Sequence, residues 1–103
     1  MRTRCHWLAV IGLLGAAGSV HADYDLVVKK NCLACHALDR KNNGPSFQQV
    51  AAKYADQKNA ADVLAKKIRR GGTGVWGEDM MPPQKQVSVA EARTLASYVL
   101  SLK

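Results

Sequence analysis

The chain has 103 residues, enough for one domain, and 15 Lys and Arg residues against 8 Asp and Glu give it a net charge of +7. Beyond residue 22 its only Cys and His residues are Cys32, Cys35 and His36, one fewer than the four ligands of a structural zinc site. The composition therefore excludes a structural zinc finger. The same part of the chain has one tryptophan and no recognisable nucleic-acid-binding module, so it gives no support to nucleic-acid binding.

The first 22 residues predict a secretory signal peptide. Arg2 and Arg4 precede an apolar run over residues 7–17, and the small-residue pattern Val20-His21-Ala22 comes after it. The apolar run is short for a membrane span, although an uncleaved N-terminal anchor is the alternative. Cleavage after Ala22 would leave residues 23–103, a domain of 81 residues with a net charge of +5. We therefore expect one exported domain.

Four segments of this domain carry the 3.6-residue period of an amphipathic helix, and none alternates strictly like a half-buried strand. The sequence thus predicts an all-α domain. The first helix begins near Asp23 and runs into the cysteine motif, and the second begins after Pro45, a residue suited to the opening of a helix. The expected apolar faces of these two helices are Tyr24, Val27 and Val28, and Phe47, Val50, Ala51 and Tyr54.

The third and fourth helices are marked at their ends as well as by their period. Asn59 is positioned to cap the third helix, which Gly71-Gly72 ends. Ser88 and Glu91 form a capping box at the start of the fourth. Their expected apolar faces are Ala61, Leu64, Ala65 and Ile68, and Ala92, Leu95, Ala96 and Val99.

Between these helices, residues 71–87 predict a long irregular loop that is rich in Gly and Pro. Residues 72–77 match the dinucleotide-binding pattern G-x-G-x-x-G. That pattern must come after a strand and open a helix, whereas this stretch comes after a helix. We therefore expect its glycines to form tight turns. Trp76, Met80 and Met81 lie on the same loop and need an apolar partner to pack against.

Residues 32–36 form a C-x-x-C-H motif, the signature of c-type haem attachment. On a helical turn, residues i, i+3 and i+4 share one face, so Cys32, Cys35 and His36 project in the same direction. The two thiols are then able to form thioethers with the two vinyl groups of a haem, while the imidazole reaches the iron.

Two other interpretations of the motif are possible. A thioredoxin-like dithiol also has the C-x-x-C spacing, but it belongs in a βαβ setting, and the sequence predicts no strand. Alternatively, the motif is a coincidence and His36 is an ordinary buried histidine. That would require both remaining cysteines and the one remaining histidine to fall within five consecutive residues by chance.

Two candidates for a second iron ligand are Met80 and Met81. Methionine is more often core filler than ligand. Pro82-Pro83, however, fixes two φ angles and biases Met81 towards an extended conformation, which would hold its side chain out from the loop. The local sequence therefore favours Met81.

Together these residues resemble the short bacterial class I cytochromes c, the monohaem c-551 and c-552 type. The resemblance covers residues 23–103 and rests on the haem motif, Gly44-Pro45, residues 74–77, Met81-Pro82-Pro83 and the closing helix. It implies four to five short helices around one covalently bound haem c. Cys32 and Cys35 would form the thioethers, His36 and Met81 would be the axial ligands, the carbonyl of Pro45 would accept the imidazole N–H, and Trp76 would hydrogen-bond a haem propionate.

The resemblance also implies a function without enzymatic activity. Iron ligated by His and Met has no open position for a substrate, so we expect a soluble, periplasmic, monomeric one-electron carrier without stable membrane insertion. Its partners would be membrane cytochrome complexes, terminal reductases or oxidases. The alternative is a haem protein with an open distal site for a gas or peroxide. The chain departs from the family at Gln84, where an Asn commonly touches the ligand sulfur, and at Met80, which is usually not Met.

Overall fold

The computed structural model describes the backbone of residues 17–103 and the side chains from residue 21 onward. The first 16 residues of the expected signal peptide lie outside this part. The expected cleavage site, between Ala22 and Asp23, lies within the first helix. Removal of the signal peptide stays a prediction. Within the described residues, no helix combines the length and apolar character needed to cross a membrane.

Four helices are arranged along the chain in the order that the sequence predicts. A single turn of 3-10 helix with the first cysteine lies between the first and second, and a short hairpin lies between the third and fourth. The elements are α1 Ala17–Lys29, the 3-10 turn Cys32–Ala34, α2 Phe47–Tyr54, α3 Ala60–Arg70, β1 Gly72–Gly74, β2 Gly77–Met81 and α4 Val89–Leu100.

Helix α4 is the centre of the fold, because α1, α2 and α3 all pack against it. Its predicted apolar face is buried, with Leu95 only 2% exposed. Burial of a leucine side chain of this kind contributes about 1.5–3 kcal/mol. The remaining core comes from the other helices and from Val87 before α4: Val27 of α1; Phe47, Val50 and Tyr54 of α2; and Ala60, Leu64 and Ala65 of α3. The predicted apolar face of α1 is wrong at Tyr24 and Val28, which are exposed.

The helix ends agree with the predictions in part. The predicted capping box of α4 is present: Glu91 N–H donates to Ser88 Oγ, and Ser88 N–H donates to Glu91 Oε1. The backbone N–H of Ser88 and the ammonium of Lys30 lower the pKa of Glu91. Asn59 stands at the N-cap position of α3 as predicted, but its φ is 61° and its side chain makes no capping hydrogen bond, so the predicted side-chain cap is wrong. Gly71, with a φ of 69°, ends α3 as predicted.

Helix α2 begins with a second capping box, between Ser46 and Gln49, which the prediction of Pro45 as the helix opener overlooked. The loop predicted over residues 71–87 also contains an antiparallel hairpin, in which Gly74 pairs with Gly77. These two glycines have φ angles of 85° and 90°, so they form a tight turn as expected. The strands went unpredicted because nearly all their residues are exposed, and exposed strands lack the alternation of a buried face.

Candidate functional site

The C-x-x-C-H motif is wound into a tight turn shortly after α1. The N–H groups of Cys35 and His36 both donate to the carbonyl of Cys32, at 3.3 and 3.0 Å. Asn31 starts the turn in the left-handed conformation, with a φ of 64°. As predicted from the spacing, Cys32, Cys35 and His36 line one and the same cavity.

Cys32 and Cys35 do not form a disulfide with each other. Cys35 is exposed and Cys32 is half-buried, and burial raises the pKa of the Cys32 thiol. Within residues 17–103, the one sheet is an exposed hairpin of two short antiparallel strands, which is not the βαβ setting of a thioredoxin-like dithiol. The two thiols thus lie on the wall of a cavity that the imidazole of His36 also lines.

The imidazole of His36 has a defined tautomer. Its Nδ1 lies 2.7 Å from the carbonyl oxygen of Pro45. Because a carbonyl oxygen only accepts hydrogen bonds, Nδ1 carries the proton, and Nε2 is left with a lone pair for a metal. A hydrogen bond of this kind also fixes the orientation of a ligating ring and raises its basicity.

Two further contacts hold the His36 ring in place. The ring stacks on Phe47, with centroids 5.3 Å apart and an interplanar angle of 29°. On another side it touches the backbone of Gly44, where a Cβ atom would stand 2.6 Å from Cε1 of the imidazole. Only glycine leaves room for the ring here. The sequence showed Gly44 as part of the family motif, but neither its contact nor that of Phe47 with His36 was predicted.

The cavity itself has a volume of about 360 Å³ and reaches from the cysteine turn to the hairpin. Its deep wall consists of core side chains that include Val50, Leu64, Leu95 and Val99. The cavity lining provides two thiols, an imidazole with a free Nε2 and, elsewhere, thioether side chains. This donor set suits a covalently held haem. The apolar wall suits a porphyrin ring in the same way.

Met80 and Met81 both line the cavity, but their exposure differs. Met80 is 70% exposed, whereas Met81 is half-buried at the end of β2. The end of α3 packs directly on Met81, because a Cβ on Gly71 would collide with the Met81 carbonyl oxygen. The backbone of Met81 is therefore held closely, which agrees with the preference of the sequence for this residue as the distal ligand. The ligand role itself stays a prediction.

Trp76 lies at the turn of the hairpin, lines the cavity and packs partly against the core. The Nζ of Lys53 stands 5.1 Å from the centroid of its ring, within cation–π range. Its predicted bond to a propionate stays a prediction. Gln84, where the family commonly has Asn, also lines the cavity, and its side-chain amide donates to the carbonyl of Pro82 at 2.9 Å.

The charges near the cavity are concentrated at the end of α3. Lys66, Lys67, Arg69 and Arg70 fall within five consecutive residues, and Lys67 lines the cavity. We call these four residues the basic cluster. Asp79, elsewhere on the cavity lining, forms an ion pair of 3.9 Å with Lys41. Both side chains are exposed, so this ion pair contributes little to stability.

Comparison with known proteins gives consistent matches. The family model for cytochrome c matches residues 24–103. The chain is 48% identical to cytochrome c-552 of Nitrosomonas europaea over 99 residues, which cover 94% of this chain and 96% of the relative. It is 48% identical to cytochrome c-552 of Hydrogenobacter thermophilus over 94 residues, covering 91% and 95%. The crystal structure of wild-type Nitrosomonas europaea cytochrome c552 superimposes with a TM-score of 0.76 at 50% identity, covering 78% of this chain and 99% of that one.

Proposed function

This chain belongs to the cytochrome c family, has the class I fold of that family and binds one covalent haem c, and from this premise we propose that it carries single electrons between redox proteins. When bound, the haem supplies an iron that alternates between the ferric and ferrous states. The residues of the chain hold it, orient it and keep water from it.

The observation that carries the proposal is the pair of candidate ligands on the lining of one apolar cavity. The bond from His36 to Pro45 leaves Nε2 free for the iron, and Met81 is the less exposed of the two methionines, with its backbone packed against Gly71. His36 and Met81 would together hold the iron and leave it no open position. The protein would then bind no substrate at the iron, and electron exchange through the edge of the ring is the remaining chemistry.

Each site residue has a distinct part in this proposal. Cys32 and Cys35 would hold the haem covalently, through thioethers formed when each thiol adds across one vinyl group. The carbonyl of Pro45 keeps the proton of His36 on Nδ1 and so keeps Nε2 basic. Met81 provides a soft thioether, which favours ferrous iron and raises the reduction potential. Trp76 lies on the cavity lining, where its indole N–H would reach a propionate.

The spectrum of the purified holoprotein tests this function against its alternative. We expect the ferric protein to show the charge-transfer band of methionine sulfur on iron, and the ferrous spectrum to stay unchanged when carbon monoxide is added. A ferrous protein that binds carbon monoxide at once would have an open distal site. That outcome would replace the electron carrier with a protein that binds a gas or peroxide.

The proposed setting is the periplasm, with the protein monomeric and free of the membrane after export. Residues 1–22 have the charge pattern and length of a signal peptide, and the mature net charge of +5 favours acidic docking surfaces on its partners. Membrane cytochrome complexes and terminal reductases or oxidases fit this description. Encounters between such redox proteins are brief and bury a small area.

The basic cluster gives the docking proposal a salt dependence. Electron transfer to an acidic partner should slow as ionic strength rises, because exposed charges more than about 8 to 10 Å apart are screened at physiological salt. Lys66→Glu combined with Arg70→Glu, at two exposed positions outside the cavity lining, should slow association on the order of tenfold at low salt and leave the midpoint potential almost unchanged. Stopped-flow kinetics across a salt series provide the measurement.

A matched variant controls for total charge in that experiment. Lys58→Glu combined with Lys103→Glu changes the net charge equally, on exposed residues outside the cavity lining. It should slow the reaction much less. Equal effects of the two double variants, or a wild-type rate that is flat with salt, would mean that the protein docks through apolar surface and not through the basic cluster.

A further inference from the structure

Two glutamines after the Met81-Pro82-Pro83 segment form a hydrogen-bonded chain that the proposed function does not use. Gln84 Nε2 donates to the carbonyl of Pro82 at 2.9 Å. Gln84 Oε1 accepts from Gln86 Nε2 at 2.7 Å, and the same nitrogen of Gln86 donates to the carbonyl of Lys30 at 3.1 Å. The two side chains thus connect the residue after Met81 to the end of α1.

At its Lys30 end, this series of hydrogen bonds is supported by further contacts. Lys30 returns the contact, since its Nζ donates to the carbonyl of Gln86 at 3.0 Å. The same ammonium pairs with Glu91 of α4 at 3.1 Å, and the Lys30 side chain is only 16% exposed, which is low for a lysine. Lys30 stands two residues before Cys32. The glutamines are therefore attached to the part of the fold that carries the first thioether.

The backbone of the Met81 segment explains why such an attachment matters. Met81 itself is held by its pairing with Gly72 in the hairpin, but Pro82 and Pro83 have no N–H group. Beyond Met81, the segment is therefore held through its carbonyls and through the residues on its C-terminal side. The first N–H after Met81 belongs to Gln84, and it donates to the carbonyl of Ile68 in α3 at 3.1 Å. Gln84 therefore holds the segment twice, with its backbone on α3 and with its side chain on Pro82.

We infer that Gln84 and Gln86 are positioning residues, which hold the Met81 segment against the end of α1 and so keep the Met81 sulfur on the iron. The inference rests on the proposed ligand role of Met81. In physical terms, the segment has a closed state and an open state, and the two side chains lower the population of the open state. An external ligand binds only the open state, so its apparent affinity reports that population directly.

Imidazole binding to the ferric holoprotein measures this equilibrium, and imidazole is neutral at the slightly alkaline pH of the experiment, so changes of charge disturb it little. Gln84→Glu keeps the acceptor for Gln86 but replaces the donor to Pro82 with an oxygen that repels the carbonyl. Gln86→Ala removes both bonds that Gln86 Nε2 donates. We expect each variant to bind imidazole about tenfold more tightly than wild type, which corresponds to about 1.4 kcal/mol.

Two comparisons decide the result. Gln57→Ala, at an exposed glutamine after α2, should bind imidazole like wild type. Unfolding of each holoprotein by denaturant should stay near wild type, because a residue with a merely structural role would lower global stability as well. The inference is overturned if Gln84→Glu and Gln86→Ala bind imidazole no more tightly than Gln57→Ala, or if their gain is matched by an equal loss of global stability.

Met81→Ala separates this inference from the function on which it rests. This variant should bind imidazole far more tightly than wild type, because its distal position is permanently open. If it does and the glutamine variants do not, only the positioning role is wrong. If Met81→Ala itself binds imidazole like wild type, Met81 is not the ligand and the inference fails. The proposed function then fails as well, unless Met80→Ala opens the distal position instead.

Discussion

Replacing Cys32 and Cys35 together with Ala should leave the haem extractable by acidified organic solvent and the chain largely unfolded. The cavity of about 360 Å³ reaches the core side chains of α3 and α4. Without the ring these apolar side chains would face water, and a domain of this size has little stability to offset that loss. Circular dichroism and solvent extraction of the purified variant provide the two measurements.

One single variant serves as a control for the double one. Cys35→Ala keeps the half-buried thiol of Cys32, so one thioether should still retain the haem in acidified solvent and helix content should stay close to that of wild type. Wild-type protein that releases its haem under the same conditions would refute covalent attachment. A double variant with the helix content of wild type would show that the chain folds without the attached ring.

The helices were predictable because their signals are local. The apolar period of α4 and the Ser88-Glu91 box both lie within a few residues of the positions they determine, and both were predicted correctly. The start of α2 has the same kind of signal in Ser46 and Gln49, and it was overlooked in favour of Pro45. Asn59 shows the limit of such signals, since its residue type suits a cap but its positive φ does not aim the side chain at the helix.

The contacts that hold the site together were less accessible from the sequence, because they join distant residues. The motif alone located Cys32, Cys35 and His36. The packing of the His36 ring on Gly44 depends on how the chain returns after the motif, and no local pattern encodes that distance. The bond between Gln86 and Lys30 spans 56 residues. Exposed polar residues such as these glutamines show no hydrophobic period and belong to no motif, so their contacts are found only in the folded structure.

Met81→Ala should open the distal position, allow the ferrous protein to bind carbon monoxide and lower the midpoint potential by at least about 59 mV, a factor of ten for a one-electron couple. Met80→Ala should do none of these, because Met80 is 70% exposed while the backbone of Met81 packs against Gly71. Neighbouring residues of a strand also point to opposite faces, so both methionines cannot serve the iron from one register.

The two methionine variants form a matched pair, since each removes one thioether from the same strand. Spectra of both with and without carbon monoxide, together with redox titrations, compare them directly. Exchanged phenotypes would make Met80 the ligand and would require β2 to shift by one residue. Such a shift would move Met81 from its contact with Gly71 and would break the pairing of Met81 with Gly72. The register of the hairpin therefore determines which methionine is the distal ligand.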